Sequence, residues 1–177
     1  MIPATFILVD PPHPATLGEE ALLAQCAAAR GRSGGPGGQH RNKVETKVTL
    51  THQPTGVSAQ AGERRASTEN FRVAVARLRL ALAVEVRAAV PLGDARSDLW
   101  KQRCRSGKVS CNPSHRDFPA LLAEALDMLA ACRWDPARAA LRLECTPSQL
   151  IKLLKDHPPA LAWFNAQRQA KGKHTMK

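Results

Sequence analysis

From Val44 to Leu50, apolar and polar positions alternate. Val44, Thr46, Val48 and Leu50 fall between Glu45, Lys47 and Thr49. A period of two in β-favouring residues predicts a strand. Gln53-Pro54-Thr55-Gly56 has Pro at the second position of a turn, so Val57–Ala61 is expected to return as the second arm of a hairpin. The period then changes. Phe71, Val75, Leu78, Leu82 and Val86 recur at helical spacing and predict one long helix from about Glu63 to Arg87. Arg72, Arg77 and Arg79 lie off that stripe, and Pro91 and Gly93 end it.

Before the first strand, residues 1–15 are Pro-rich and read as a loosely held arm. A short helix is expected next, with Thr16 as cap, Glu19 three residues on, and Leu22 and Leu23 as its apolar positions. Between this helix and the strand, five of the nine residues 31–39 are Gly, so no regular element is expected there. After the long helix, residues 94–117 read as a basic linker. Leu121, Leu122, Ala125, Leu126 and Leu129 then form an amphipathic stripe. Asp135-Pro136 supplies a cap and a Pro at the first helical position. Thr146 with Gln149 fits a capping box before Leu150, Leu153 and Leu154. A last helix is expected to carry Trp163 and Phe164. The chain shows no internal repeat. Its expected organisation is an arm (1–15), a mixed domain (16–93), a linker (94–117), a helical section (118–166) and a basic tail (167–177).

Composition narrows the picture. Aromatic residues are 4% of the chain and Tyr is absent, so the core must be built from Ala, Leu and Val. That favours helices over an all-β sandwich. The net charge is +11. It is concentrated in three blocks, +6 over 31–79, +5 over 95–116 and +4 over 163–177, with slightly acidic stretches between them. Such blocks point to a polyanionic partner. A membrane is disfavoured because no apolar run reaches the ~20 residues of a spanning helix. Met1 to Asp10 lacks a basic start and is followed by Pro11, Pro12 and Pro14, which does not suit a secretory signal. The five Cys are an odd number without a CxxC pair, which suits reduced thiols and a cytoplasmic protein. Cys104, Cys111 and His115 match no common zinc spacing and lack an evident fourth ligand, so no metal is expected. Cys132 and Cys145 read as core thiols, His52 as a hairpin residue, and Trp100, Trp134 and Trp163 as core anchors.

The Gly-rich stretch lacks the Gly-Lys-Ser/Thr ending of a phosphate-binding loop. His40 stands where the dinucleotide fingerprint needs a third Gly. What is specific is the run Ser33-Gly34-Gly35-Pro36-Gly37-Gly38-Gln39-His40-Arg41-Asn42-Lys43-Val44-Glu45-Thr46. It resembles the catalytic signature of class I peptide-chain release factors and of their codon-independent relatives, the ribosome-rescue hydrolases. The resemblance extends over roughly residues 18–90. It includes Thr49–His52 with Pro54-Thr55-Gly56. It departs at the start of the long helix: Arg65 and Asn70 agree with the family's pattern, but Ala66, Ser67 and Phe71 do not. Arg41 also replaces a small apolar residue.

The resemblance implies an α+β fold, a small antiparallel β-sheet packed on a long helix, here followed by a C-terminal helical section. It implies hydrolysis of the peptidyl-tRNA ester in the peptidyl-transferase centre. The partners would be the ribosome's rRNA and the P-site peptidyl-tRNA, and no cofactor would be needed. Gly37, Gly38 and Gln39 would be catalytic, with the Gln39 backbone N–H stabilising the developing oxyanion. The uncharged Gln39 side chain would admit water and exclude larger nucleophiles. A methyltransferase acting on the Gln39 amide would be a further partner. No side-chain nucleophile or His–carboxylate pair is required, and none is apparent.

The residues expected to contact RNA or the ribosome are Arg32, Ser33, His40, Arg41, Asn42, Lys43, Arg64, Arg65, Arg103, Arg105, Lys108, Arg168, Lys171 and Lys173. About 30 residues precede the loop, too few for a codon-recognition domain, so hydrolysis without codon reading is expected from a monomeric protein. Residues 139–154 resemble a helix-turn-helix with Glu144-Cys145 at the turn. Lys152 and Lys155 would face nucleic acid if that unit binds it, and solvent if the helices only pack. Two other functions fit the same chain. One is a binding-only ribosome factor, favoured by the altered helix start and opposed by the intact Gly37-Gly38-Gln39. The other is a release factor whose codon reader is a separate subunit.

Overall fold

A computed structural model describes residues 6–32 and 45–177. In chain order the elements are β1 (Ile7–Val9), a 3-10 turn (Pro14–Thr16), α1 (Glu19–Leu23), β2 (Cys26–Gly31), β3 (Lys47–His52), β4 (Ser58–Ala61), α2 (Ser67–Glu85), β5 (Val86–Ala88), α3 (Asp98–Arg103), β6 (Cys104–Arg105), β7 (Lys108–Val109), α4 (Phe118–Ala131), α5 (Pro136–Arg142), α6 (Pro147–Lys155) and α7 (Pro158–Ala170). They fall into two compact units. One is Leu17–Leu82; the other joins Met1–Thr16 to Ala83–Lys177. The fold is mixed, with a small antiparallel sheet followed by helices, as expected.

In the unit 17–82 the sheet order is β2-β3-β4, antiparallel throughout. Val48, Leu50 and His52 alternate inward along β3, as a half-buried strand requires. With Val57, Ala61 and Leu22 they meet a core to which α2 contributes Ala74, Val75, Leu78 and Leu82. Each fully buried Leu contributes about 1.5–3 kcal/mol. α2 is shorter than its stripe suggests. It begins at Ser67, because residues 63–66 form a turn bonded to the Asn70 side chain. It ends at Glu85, because Val86–Ala88 pair with β1 as a parallel strand. Thr16 does not cap α1. Gly18 occupies the N-cap without a side-chain bond, and the Thr16 hydroxyl donates to the His13 carbonyl at 2.7 Å within the 3-10 turn.

In the other unit α4 is buried along most of its length, from Phe118 to Leu129. Asp135 caps α5, accepting from the Ala137 and Arg138 N–H groups, and Thr146 Oγ1 accepts from Gln149 N–H at 3.2 Å to cap α6. The chain between α5 and α6 turns without Gly: Glu144 takes φ 51°, the left-handed position Gly usually fills. Trp134 and Trp163 stack edge-on at 5.4 Å with Phe6 and Phe164 beside them. Residues 94–117, which read as a linker, build α3 and the β6–β7 hairpin. Trp100 fixes them: it is 0% exposed and its indole N–H donates to the Leu143 carbonyl at 2.9 Å. All three Trp are buried. The helix-turn-helix resemblance finds α5 and α6 packed against each other and against α4.

Candidate functional site

Gly37, Gly38 and Gln39 lie outside the described residues, as do Ser33, His40, Arg41, Asn42 and Lys43. The stem beneath them is described. β2 and β3 pair from Cys26↔His52 to Gly31↔Lys47, so the chain leaves at Arg32 and returns at Glu45 from one closed end of the ladder. Arg32 Nε sits 3.9 Å from Glu45 Oε1 across that end. Both side chains are exposed, so this ion pair adds well under about 1 kcal/mol.

The stronger fastening is Asn70, fully buried at the start of α2. Its Nδ2 donates to the Thr46 carbonyl at 2.7 Å and to the Arg64 carbonyl at 2.9 Å. Its Oδ1 accepts from the Arg64 N–H at 2.9 Å. One side chain therefore ties the returning arm of the stem to the turn that carries Arg64 and Arg65, both exposed. Asn70→Ala would leave three backbone groups short of a partner, an expected loss of about 3 kcal/mol. Amide hydrogen exchange along β3 checks this: protection unchanged from wild type would show that Asn70 is not the fastening.

His52 is at the opposite end of the ladder. Its ring bonds Thr55 Oγ1 at 2.7 Å and Gln25 Oε1 at 2.9 Å, and burial lowers its pKa. It serves the hairpin, away from the loop. Further along the sheet, Arg77 bonds the Gln60 carbonyl at 2.8 Å and grips Glu63, tying α2 to β4. Backbone N–H groups of Gly62 and Glu63, then Arg77, hold the Glu63 carboxyl down at about 2. Nothing in the sequence marked Arg77 for this task except its position off the apolar stripe.

In the unit completed by residues 83–177, the expected RNA contacts divide. Arg103 is held by Asp117 at 2.6 Å. Arg168 donates to the carbonyls of Trp134 and His174 and lies over the Phe164 ring. Lys173 donates to the Arg133 carbonyl at 2.6 Å. These three cations have intramolecular work. Arg105, Lys108 and Lys171 are exposed. Among the described residues no three His, Cys, Asp or Glu side chains gather as metal ligands, and all five Cys are free. No described helix is long and apolar enough to cross a membrane.

Comparison with known proteins gives this stem and loop their context. The RF-1 domain family matches residues 25–111, a span that contains the sheet, the loop, α2 and the β6–β7 hairpin. The RF-1 match and the release-factor relatives support membership of the class I peptide-chain release factor family. It is 41% identical over 81 residues to the chloroplast peptide chain release factor PrfB1 of Arabidopsis thaliana, covering 42% of this chain and 18% of that one. It is 32% identical over 121 residues to peptide chain release factor 1 of Chlorobaculum tepidum, covering 63% and 33%. An uncharacterised mitochondrial release factor-like protein of Saccharomyces cerevisiae is 37% identical over 101 residues, covering 56% and 61%. The chain thus spans between 18% and 61% of the length of these relatives. α4 to α7 lie beyond the family match.

Proposed function

We propose that this chain acts in translation as a release factor, hydrolysing the peptidyl-tRNA ester on the ribosome without reading a codon. The observation that carries this is Gly37-Gly38-Gln39 within the RF-1 match. The held stem beneath it, closed by the last β2–β3 pair and by Asn70, supports it. Water attacks the ester carbonyl, the bond from acyl carbon to ribose oxygen breaks, and a proton passes to that oxygen. The charge developing on the carbonyl oxygen would be met by the Gln39 N–H, whose donation is worth most in a site shielded from water. rRNA and the P-site tRNA supply the remainder of the site. Ser33, His40, Arg41, Asn42 and Lys43, with Arg32, Arg64 and Arg65 at the stem, would contact rRNA. Lys171 would join them from the tail. A methyltransferase would modify Gln39. The protein would work as a monomer wherever ribosomes translate, the cytoplasm first.

Release of labelled peptide from ribosomes stalled on mRNA truncated at the P site tests this. Release there, unchanged by adding a stop codon in the A site, is the expected result. Release only when a stop codon and a cell extract are both present would instead favour a separate codon-reading subunit. Ribosome binding without release would leave a binding factor.

A further inference from the structure

We propose that the β6–β7 hairpin and the exposed face of α6 form one RNA-backbone docking surface on the helical unit. Naming RNA as the polyanion rests on the function proposed above; the surface itself rests on geometry.

The hairpin is two residues per strand, closed by Ser106 and Gly107 with φ 49° and 75°, both positive as a type I′ turn requires. Its register sets Arg105 directly opposite Lys108. Like charges facing each other across a two-stranded ladder are unfavourable. Among the described residues neither side chain meets a carboxylate, and both are exposed. The pair is nonetheless held firmly. Thr146 N–H donates to the Gly107 carbonyl at 3.1 Å, and Ser110 N–H to the Arg103 carbonyl at 2.9 Å. The tip of the hairpin is thereby seated on the residue that caps α6.

α6 continues the same charge. Its apolar side, Leu150, Ile151, Leu153 and Leu154, is buried. Ser148, Lys152 and Lys155 recur at i, i+4 and i+7 on the exposed side. Lys152 stands roughly 9 Å along the axis from Thr146, the residue on which the hairpin tip is seated. Few acids oppose these cations. Glu144, at the α5–α6 turn, is engaged by Arg96, and Asp156 lies 3.8 Å from Lys152. Exposed cations on two joined elements that carry no exposed large apolar residue suit a phosphate backbone. An anionic membrane would want exposed Leu, Phe or Trp on the same face. The exposed large apolar residues described, Leu8, Leu92 and Leu141, are on neither element.

The test uses the full chain and a fluorescent oligouridylate, with affinity followed across a potassium chloride titration. Arg105→Gln with Lys108→Gln, and separately Lys152→Gln with Lys155→Gln, should each bind roughly tenfold more weakly and flatten the salt dependence by about 1.4 in the log–log slope. A charge-matched control is Arg116→Gln with Arg138→Gln, two cations that lie on neither the hairpin nor α6. It should bind as wild type does. Equal loss in the control would reduce the effect to net charge and overturn the surface. So would wild-type affinity in both surface variants. Loss of binding to phosphatidylglycerol vesicles with RNA binding intact would reassign the face to lipid and overturn it too. Position-dependent RNA binding by a protein that releases no peptide would keep the surface and remove the hydrolase proposal.

Discussion

Gly38→Ala is expected to reduce peptide release from stalled ribosomes by about 100- to 1,000-fold, the usual consequence of losing one oxyanion donor. The reason is conformational. Gly reaches backbone dihedrals that a Cβ forbids, and it lets the main chain come close to a ligand. A methyl group at position 38 would remove both freedoms and carry the next N–H, that of Gln39, away from the reacting carbonyl. Gln39→Ala separates the two features of the neighbouring residue. It keeps the N–H, so release by water should fall far less, while the pocket opens to larger nucleophiles. Added hydroxylamine or a small alcohol should then compete with water in Gln39→Ala and not in wild type. Ribosome binding by Gly38→Ala should match wild type, since no charge changes. A Gly38→Ala protein that released peptide at the wild-type rate would sink the assignment of this loop.

The second large effect is expected far from the loop in sequence. Arg87 is 1% exposed, and its Nη1 donates to Asp127 Oδ1 at 3.1 Å. Its Nη2 bonds the Ala83 and Val84 carbonyls, Nε has no hydrogen-bond partner among the described residues, and the guanidinium lies 5.0 Å from the Trp163 ring centroid. Asp127 also accepts the Ala88 N–H at 3.2 Å, which fixes β5. Above pH 7, where Asp127 is ionised, Asp127→Ala would leave a buried cation without its counter-charge, a loss of about 3–5 kcal/mol. Replacing both residues together, Arg87→Met with Asp127→Leu, should cost much less, because no charge is then stranded. Urea denaturation followed by Trp fluorescence reads this unit alone, since Trp100, Trp134 and Trp163 all belong to it. A double variant as unstable as Asp127→Ala would show that packing, not charge, sets the loss.

The same pair carries a pH dependence. Burial pushes the Asp127 carboxyl up to about 7 against the pull of Arg87. A carboxyl raised above its unfolded value of about 3.9 holds a proton in the native state that the unfolded chain has released. Its contribution is therefore present in full below that lower value and is lost as pH rises through 7. Relative to Asp127→Asn, wild type should gain stability as pH falls from 7 towards 4. A difference independent of pH would show that Asp127 does not titrate in this range.

Some of this was visible in the residues and some was not. The β3–β4 hairpin was legible because Val48 and Leu50 alternate with polar neighbours and Gly56 marks the turn; it takes φ 72° there. The caps Asp135 and Thr146 were legible because local side-chain chemistry alone dictates them. β2 was not, since Cys26-Ala27-Ala28-Ala29 has helical composition. Pairing with β3 decides it, and that contact is remote in sequence. Residues 94–117 read as linker because their charge dominates the pattern; Trp100 was legible as an anchor, but its partner, the Leu143 carbonyl, is remote in sequence. Charge counts also fail to separate cations with internal partners from cations facing outward. Arg103, Arg168 and Lys173 look no different in sequence from Arg105 and Lys108. The loop is the reverse case: Gly37-Gly38-Gln39 is known from the motif alone.

The parallel pairing of Ile7–Val9 with Val86–Ala88 makes one compact unit discontinuous, with residues 17–82 inserted between its two parts. During synthesis the inserted unit can complete its sheet and helix as soon as its own residues have emerged. The opening strand must wait, its partner and the helices behind it still unmade. Removing residues 6–9 is therefore not a trim of one end. It would strip the late-folding unit of its first strand and leave the early-folding one whole.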